Sequence, residues 1–472
     1  MSIKAKLSIK GTENSQTFYN FLSTIIRTSI GMITMPIFTR LLGATQFGLF
    51  SIYTSWLTII SCFICLNVGA SLGTGLYKFK NDYYKFRTST LIEGTVITLG
   101  FVALFIIFQK PVLSVTKYTF AVFLLLIVQA FFEYVCNFAN LSWTYEKQAA
   151  KNMLMSVVSL TSTTVLSILI VTNWWGSSSE LYLGRVIGVA IPEIIIGVIV
   201  WVALFKRQPY GFNKEYWKYS IGFGFPIVFH ALSQQVLGQS DRIMMERMGT
   251  NGAQIGIYSF FYSFVAIMTA ILNALNNSWC PFLYDRLESK SYEDLNKKVK
   301  NYVQVFSVIT IGFLMLSREV VKIFANDEYW EGVTLIPILV LAVYSTYIYQ
   351  FAVNYEFFNA KPKIVATGTV LAAFANIVLN YILIPKYGMY GAAIATLLSY
   401  IALAIMHTIV VNNWKLEKYP LSYKSVAVGI GSVLVACTLY YLLSDLAVIR
   451  WAIGIMLGAY LIFAIRRRRT VF

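Results

Sequence analysis

Charged side chains are scarce in this sequence. Asp, Glu, Lys and Arg make up 12% of its 472 residues, whereas hydrophobic residues make up 57%. Soluble domains contain about 25% charged residues, so this chain lacks the polar surface that a soluble globule of its length needs. Its composition excludes the soluble, fibrous and disordered classes and indicates an integral membrane protein.

Acidic residues are the scarcer kind of charge, with 21 Asp and Glu against 38 Lys and Arg, a formal net charge of +17. Such an excess is typical either of nucleic-acid binding or of membrane loops that face the cytoplasm. Here Lys and Arg favour, by roughly three to one, the side of the predicted spans that holds both chain ends. We therefore expect cytoplasmic termini and no nucleic-acid partner. The Arg466–Arg469 run is expected to contact anionic lipid heads.

Cysteine and nucleotide-binding motifs are also nearly missing. The five cysteines lie in or beside apolar runs, so no disulfide framework is predicted, and the Cys62/Cys65 pair is expected to be two small helical residues. No G-x-x-x-x-G-K-[ST] loop is present, and no linker is long enough to form a nucleotide-binding domain. ATP hydrolysis by this chain is not expected.

Long apolar runs take the place of charge. A bilayer core of about 30 Å requires about 20 apolar residues per helix. The first run is longer than a signal peptide and lacks its cleavage pattern, so we expect an uncleaved first helix. The fourteen predicted spans are 17–39, 47–72, 89–109, 118–140, 153–173, 181–205, 219–241, 253–279, 301–325, 332–358, 363–385, 389–412, 423–444 and 446–465.

A weak internal repeat organises these spans. Gly43 and Gly48 recur, with similar neighbours, as Gly249 and Gly256, at a spacing near 210 residues. Since each repeat holds six spans, the halves are predicted to be parallel repeats, one of the architectures of secondary transporters. We predict an all-α polytopic membrane protein with two six-helix lobes around a central cleft and two further helices. The predicted parts are a cytoplasmic tail (1–16), an N-lobe (17–205), a linker (206–218), a C-lobe (219–412), the last two helices (423–465) and a basic tail (466–472).

Four short motifs, in this order, resemble a known family. They are Thr39–Gly43, Gly222–Pro226 with Ser240–Arg242, Ile255–Ser259, and Asn376–Gly388 followed by Gly391–Thr396. This set resembles the polysaccharide exporter branch of the multidrug/oligosaccharidyl-lipid/polysaccharide flippase superfamily, above all the flippases of O-antigen and capsule repeat units. The resemblance covers about residues 15–415, and the Asn376–Gly388 motif is its most specific part.

The resemblance implies a cargo, an energy source and a location. The cargo would be an undecaprenyl-pyrophosphate-linked oligosaccharide, flipped to the outer leaflet of the bacterial cytoplasmic membrane. An H⁺ or Na⁺ gradient would drive transport, without a cofactor. Membrane lipids and a polysaccharide polymerase would be further partners.

The cargo's pyrophosphate and sugars predict cationic and amide groups inside the spans. Arg27 and Arg185 are the two basic residues there, and a guanidinium binds phosphate through two hydrogen bonds. An ion pair of Arg27 with Glu133, and extension of Arg185 to the membrane interface, are the alternatives. The predicted sugar-binding amides are Asn137, Asn273 and Asn277, which serve equally well as hydrogen bonds between helices.

Acidic and titratable residues inside the spans predict ion coupling and gating. Charges at this depth are costly, so each needs a reason. Gln129, Glu133, Asn137 and Asn140 share one face of a helix, which is either a cleft surface or a helix–helix seam. The predicted coupling and gating residues are Glu133, Glu193, His230, Asp241, Arg40 and Arg242.

Two other functions remain open on the sequence. A drug/cation antiporter of the same superfamily would favour an acidic cleft, whereas Arg27 favours an anionic cargo. A membrane glycan polymerase or ligase would need a catalytic outer loop, but the predicted outer loops are short and the 172–181 loop has no acid/base pair. We therefore expect a transporter and no enzymatic activity.

Overall fold

The computed structural model describes residues 13–174, 176–413 and 421–468; no side chain is described for 13–18, 20–32 or 468. The described residues are mainly α-helical and contain no β-strand, which confirms the predicted fold class. The helices are α1 (Glu13–Ile64), α2 (Leu72–Phe79), α3 (Tyr83–Ile107), α4 (Gln109–Thr116), α5 (Phe120–Tyr145), α6 (Ala149–Thr172), α7 (Leu181–Arg207), α8 (Lys214–Arg247), α9 (Gly252–Glu288), α10 (Tyr292–Phe324), α11 (Ile336–Phe358), α12 (Pro362–Asn413), α13 (Tyr423–Leu442) and α14 (Ala447–Arg468). Short 3₁₀ helices are Val68–Ser71, Lys80–Asp82, Ser178–Glu180 and Asp327–Leu335.

Eleven segments of the described chain are long and apolar enough to cross a bilayer. The predicted spans fall on the helices that carry these segments and on α8, which is more polar on average. Two helices hold two predicted spans each, because α1 and α12 continue through what were expected to be loops. The chain is a polytopic helical membrane protein.

Single glycines break the two longest helices. Gly43 in α1 has φ +66° and ψ 172°, and Gly388 in α12 has φ +53° and ψ −127°. Only glycine adopts such angles without a steric cost. The predicted connections 40–46 and 386–388 are therefore replaced by turns centred on one residue. Gly249, which the repeat aligns with Gly43, also has a positive φ, +77°.

The second predicted span ends earlier than expected. We predicted 47–72, but α1 stops at Ile64 and the chain turns through Leu66 and Asn67, whose φ angles are 45° and 53°. A Cβ added to Gly224 of α8 would lie 2.7 Å from the carbonyl oxygen of Leu66 and 2.8 Å from that of Asn67. The close approach of α8 accompanies this turn, and it is a tertiary contact that hydropathy does not report.

The chain packs as two compact units, and the first comprises Met1–Leu42 and Leu49–Ile243. It contains α8 up to Ile243, which differs from the predicted division in the 206–218 linker. The physical reason is a polar contact with α3: Trp217 Nε1 donates to Ser89 O at 3.2 Å, and Ser220 Oγ donates to Glu93 Oε2. Two apolar clusters fill this unit, one around Leu126 and the other around Phe86.

The second unit comprises Gly43–Gly48 and Met244–Phe472. Its core is aromatic: the rings of Trp279 and Tyr302 stack with centroids 4.5 Å apart, and Phe351 packs edge-on against both. Helices α13 and α14 both pack against α10. Arg450 of α14 forms an ion pair with Glu319 of α10 at 2.5 Å.

The Gly43–Gly48 segment is held in the second unit by a cap and a close backbone contact. Glu328 Oε2 accepts a hydrogen bond from Ala44 N at 2.9 Å, which satisfies a donor at the start of the helical turns after Gly43. A Cβ on Gly48 would lie 3.3 Å from Gly256 Cα. The two backbones therefore approach each other where neither residue has a side chain.

Candidate functional site

A polar seam crosses the interior of the first unit between α1, α5 and α7. Tyr53 Oη donates to Gln129 Oε1 at 2.8 Å, and Gln129 Nε2 donates to Glu193 Oε2 at 2.8 Å. Glu133 lies one helical turn after Gln129 and close to Ser61, whose Oγ donates to Leu57 O at 2.8 Å. We call Tyr53, Ser61, Gln129, Glu133 and Glu193 the unit-1 seam. It brings together the two carboxylates that the sequence singled out for coupling.

The seam's carboxylates lie among amide and hydroxyl groups. Among the described side chains, neither Glu133 nor Glu193 forms an ion pair with Lys or Arg. A carboxylate at membrane depth without a cationic partner needs a bound proton or cation to lower its cost. The seam therefore has the chemistry of an H⁺ or cation site. Gln129, 2% exposed, acts as a link between helices, whereas Asn137 on the same helix is exposed.

Arg185 is clamped between two aromatic rings in the same unit. Its guanidinium carbon lies 3.9 Å from the ring centroid of Phe38 and 4.0 Å from that of Phe50. Such cation–π contacts contribute about 0.5–2 kcal/mol each, more when desolvated. The half-buried side chain is thus stacked inside the unit, and extension to the membrane interface does not describe it. The two rings fix the plane in which the guanidinium can donate hydrogen bonds.

The other two basic candidates, Arg27 and Arg40, lie on α1, and the structure describes the side chain of Arg40 only. The backbone of Arg27 lies in α1, but its side chain is outside the described part of the chain, so its predicted phosphate contact remains a prediction. Arg40 is exposed, three residues before the break at Gly43.

The end of α8 carries a buried ion pair. Arg242 Nη1 lies 3.2 Å from Asp241 Oδ1 and donates to Gly238 O at 2.9 Å. It also donates to Gln239 Oε1, which accepts from Ser55 of α1 as well. Asp241 and Arg242 therefore neutralise each other locally. His230, farther back on α8, is half-buried, and its Nδ1 has no hydrogen-bond partner.

The amide candidates of the second unit lie on one stretch of α9. Asn273 and Asn277 are exposed, whereas Asn276 accepts a hydrogen bond from Asn354 of α11 at 2.8 Å. Asn273 lines a cavity of about 380 Å³. Its other polar lining residues are Tyr262, Thr269, Thr346, Thr396 and Tyr400. Hydroxyl and amide groups without any charged residue suit the hydroxyls of an uncharged sugar.

Comparison with known proteins identifies the family of this chain. Residues 15–285, more than half of the chain, match the family model described as polysaccharide biosynthesis protein. The chain belongs to this family. The chain is also 22% identical over 353 residues to an uncharacterized membrane protein of Haemophilus influenzae (strain ATCC 51907 / DSM 11121 / KW20 / Rd), and the match covers 73% of this chain and 83% of the relative.

Solved structures share the fold over nearly the whole length. The lipid II flippase MurJ, in an inward closed conformation, aligns with a TM-score of 0.70 at 16% identity and covers 97% of this chain and 99% of its own. An inward-facing multidrug resistance MATE family transporter of the MOP superfamily aligns with a TM-score of 0.60 at 14% identity, covering 89% and 95%. At these identities the likeness concerns the fold.

Sequence reasoning missed a buried charge network in the first unit. Glu146 pairs with Arg87 at 2.8 Å and with Arg207 at 2.7 Å, which joins the ends of α3, α5 and α7. Both arginines lie between predicted spans, where the sequence indicates loops. Among them, Arg87 is fully buried, and no feature of the local sequence distinguishes it from an exposed loop arginine.

Two buried carboxylates were also missed or underrated. Glu93 of α3 is fully buried against Ser220, although its position inside an apolar run was a usable indication. Glu356 of α11 is fully buried against His407 of α12, a histidine that we had not considered. Both contacts join residues more than 50 positions apart, so the sequence reveals each carboxylate but not its partner.

Proposed function

We propose that this protein is a flippase that moves a polyprenyl-pyrophosphate-linked oligosaccharide repeat unit, of O-antigen or capsule type, from the cytoplasmic to the outer leaflet of the bacterial cytoplasmic membrane. The observation that carries the proposal is the family match to polysaccharide biosynthesis proteins on a chain of membrane-spanning helices. The fold shared with a lipid II flippase supports a lipid-linked glycan as cargo. Ion-coupled alternating access is the proposed mechanism, and catalysis has no part in it.

The polar groups of the two units support this cargo separately. In the first unit, Arg185 is held by aromatic rings in a fixed orientation, as a pyrophosphate site requires. In the second unit, Asn273 lies in a neutral cavity with hydroxyl groups. The polyprenyl tail needs no polar site, because lipid accommodates it.

The proposed coupling site is the unit-1 seam. Glu193→Gln should keep the hydrogen bond with Gln129 but remove the ionisable group, so we expect export to fall about tenfold and lose its dependence on the ion gradient. Export driven by imposed H⁺ or Na⁺ gradients in membrane vesicles measures this. Gln129→Leu is the matched variant: it breaks the hydrogen bonds and keeps both carboxylates, and should retain the dependence on the gradient.

Loss of the gene tests the function itself. Lipid-linked repeat units should then accumulate on the cytoplasmic leaflet, as shown by their protection from a glycosidase added to intact spheroplasts. If single repeat units instead reach the outer leaflet and stay unpolymerised, the protein is a polymerase and the proposal is wrong.

A drug/cation antiporter is the second candidate, favoured because the seam's two carboxylates have no Lys or Arg partner among the described side chains. Such a pump would lower the accumulation of cationic dyes in cells and leave repeat-unit export unchanged on deletion. Ethidium efflux from energised cells distinguishes the two functions.

A further inference from the structure

A groove between α10 and α13 lies on the second unit and shares no lining residue with the neutral cavity around Asn273. It encloses about 560 Å³, within the range of about 300–1,000 Å³ typical of small-molecule sites. One wall is α10, over residues 300–311, and the other is α13, over residues 424–432. Val428 of this lining is 66% exposed, so the groove opens on the surface of the protein. We call it the α10–α13 groove.

Two contacts fix how the walls lie against each other. Just before α13 begins, Ser422 N donates to Asn296 Oδ1 of α10 at 2.6 Å. Farther along both helices, a Cβ added to Gly429 of α13 would lie 2.5 Å from Val303 Cγ1 and 3.1 Å from Ser307 Oγ of α10. Residue numbers increase in the same direction on both walls, so the two helices run parallel, with the starts of the two linings side by side.

This shared end of the groove carries two cations. Lys300 follows Asn296 by four residues, Lys424 follows Ser422 by two, and both lysines line the cavity. Both are exposed, and the ion pairs among the described side chains involve neither of them. Within the described part of the chain, no Asp or Glu lines the cavity. The two positive charges are therefore not compensated by a carboxylate of the lining.

Beyond the lysines the lining is mostly apolar. Its apolar side chains are those of Val303, Val308, Ile311 and Val428. Ser432, at the far end, donates its hydroxyl to Gly429 O at 2.8 Å within its own helix. Hydrocarbon gains free energy on such a surface, whereas a sugar or an ion does not. The groove thus combines a cationic end with an apolar trough.

The lysines lie at the depth expected of lipid headgroups. Lys300 comes one residue before the predicted span 301–325, and Lys424 is the second residue of the predicted span 423–444. The distribution of Lys and Arg predicts that this side is cytoplasmic. Anionic lipids give the cytoplasmic leaflet its negative surface potential, and basic pockets between spans on that side bind anionic headgroups.

We propose that the α10–α13 groove binds an anionic phospholipid of the cytoplasmic leaflet, with its phosphate at Lys300 and Lys424 and an acyl chain along the apolar trough. A soluble phosphate compound would leave the trough empty, and a neutral lipid would leave the lysines without a counter-charge. The occupant is a resident lipid of the membrane and not the cargo, so this inference does not depend on the proposed function.

Binding of fluorescent phosphatidylglycerol to the full-length protein in a neutral detergent tests the proposal. We expect saturable binding that unlabelled phosphatidylglycerol displaces and that equal concentrations of phosphatidylcholine or inorganic phosphate do not. Displacement by inorganic phosphate would show a site for soluble anions, and equal displacement by phosphatidylcholine would show an unselective lipid surface. Undecaprenyl phosphate that displaces the probe at lower concentration than phosphatidylglycerol would assign the groove to the cargo. Each of these three results overturns the proposal.

The cationic end is tested by removing its charge. The double variant K300Q/K424Q should bind phosphatidylglycerol at least tenfold more weakly, because it loses both lysines beside the phosphate. K361Q/K363Q is the matched control, since it removes the same charge from two exposed positions that do not line the groove. Equal weakening in the two double variants would show general attraction of an anionic lipid to a basic protein, which contradicts a specific site.

The apolar trough is tested by filling it. V428W places an indole in the groove and should weaken binding of phosphatidylglycerol at least tenfold. V448W makes the same change at a residue of α14 that is 84% exposed and does not line the groove, and it should bind normally. Normal binding by V428W, or equal loss in both variants, would show that no acyl chain occupies the trough. Binding is measured without transport, so neither result bears on the flippase proposal.

Discussion

At the scale of the residue, the carboxylates inside the protein differ in the group that compensates their negative charge. Glu146 lies between two arginines, whereas Glu193 is bound by the amide of Gln129 and Glu356 by an imidazole. Arginine stays charged at all accessible pH values, so the Glu146 network is fixed in charge. The amide-bound and histidine-bound carboxylates have no arginine or lysine beside them among the described side chains, so no fixed positive charge accompanies them.

The fixed network should dominate stability. Glu146→Gln leaves the fully buried Arg87 without its anion, and breaking a buried pair in this way costs about 3–5 kcal/mol. Asp82→Asn removes the partner of Lys85 in an exposed pair and should leave stability nearly unchanged. Unfolding of the detergent-purified variants, followed by circular dichroism, compares the two. Equal losses would show that burial of Arg87 does not decide the effect.

Export should depend on the shape as well as the charge of the side chain at position 185. Arg185→Ala should reduce repeat-unit export at least tenfold with normal membrane insertion. Arg185→Lys should restore only part of it, since lysine lacks the planar group that stacks between Phe38 and Phe50. Export is measured from surface polysaccharide. Lys110→Ala, at an exposed position of α4, serves as the control, and full activity of Arg185→Ala would remove this residue from the site.

Residue-level prediction from the sequence succeeded where a polar group stands out locally. Glu133 and Glu193 interrupt apolar runs, and the structure places both in one seam. His407 interrupts a run equally, but its partner lies 51 positions away, and pairing across that distance depends on how α11 packs on α12. The clamp around Arg185 was likewise unpredictable, because its rings come from α1.

At the scale of the element, conformation at single glycines determines where helices end. Three glycines allow a comparison: Gly43 combines φ +66° with the Glu328 carboxylate 3.3 Å from its Cβ position, Gly249 has φ +77° with open space, and Gly100 has neither constraint. A left-handed conformation costs a non-glycine residue about 1–2 kcal/mol.

Alanine substitution at these three positions should separate the cost of the left-handed backbone conformation from the cost of the steric contact with Glu328. Gly249→Ala should destabilise the protein by about 1–2 kcal/mol. Gly43→Ala should destabilise it by more, because the Glu328 cap must also shift. Gly100→Ala should leave stability unchanged or increase it. Thermal unfolding midpoints in one detergent give the order. The interpretation is wrong if Gly100→Ala is the most destabilising.

Element-level prediction was accurate for where the long helices lie and less so for where they end. Hydropathy locates apolar runs, and nearly every predicted span lies on a helix. The turn at Leu66 and Asn67 and the one-residue breaks at Gly43 and Gly388 depend on backbone conformation instead. Mean hydropathy over a window of residues does not contain that information.

The membrane orientation belongs to the whole molecule. The excess of Lys and Arg predicts that a reporter fused after residue 176 lies outside and one fused after Lys361 lies inside. Alkaline phosphatase should therefore be active only in the first fusion, and green fluorescent protein should fluoresce only in the second. The reverse pattern would contradict the predicted topology and, with it, the direction of the proposed flipping.

The packing of α10 has a consequence for the order of biosynthesis. Gln304, Ser307 and Glu319 of α10 all lie against α13 or α14, through contacts with Tyr460, Gly429 and Arg450. Residue 423 of α13 is translated about 100 residues after α10 is complete, which at ribosomal speed corresponds to roughly 5–20 s. During that interval Gln304, Ser307 and Glu319 lack the partners that α13 and α14 provide in the folded protein. The native environment of α10 is therefore completed only by the last two helices to be synthesised.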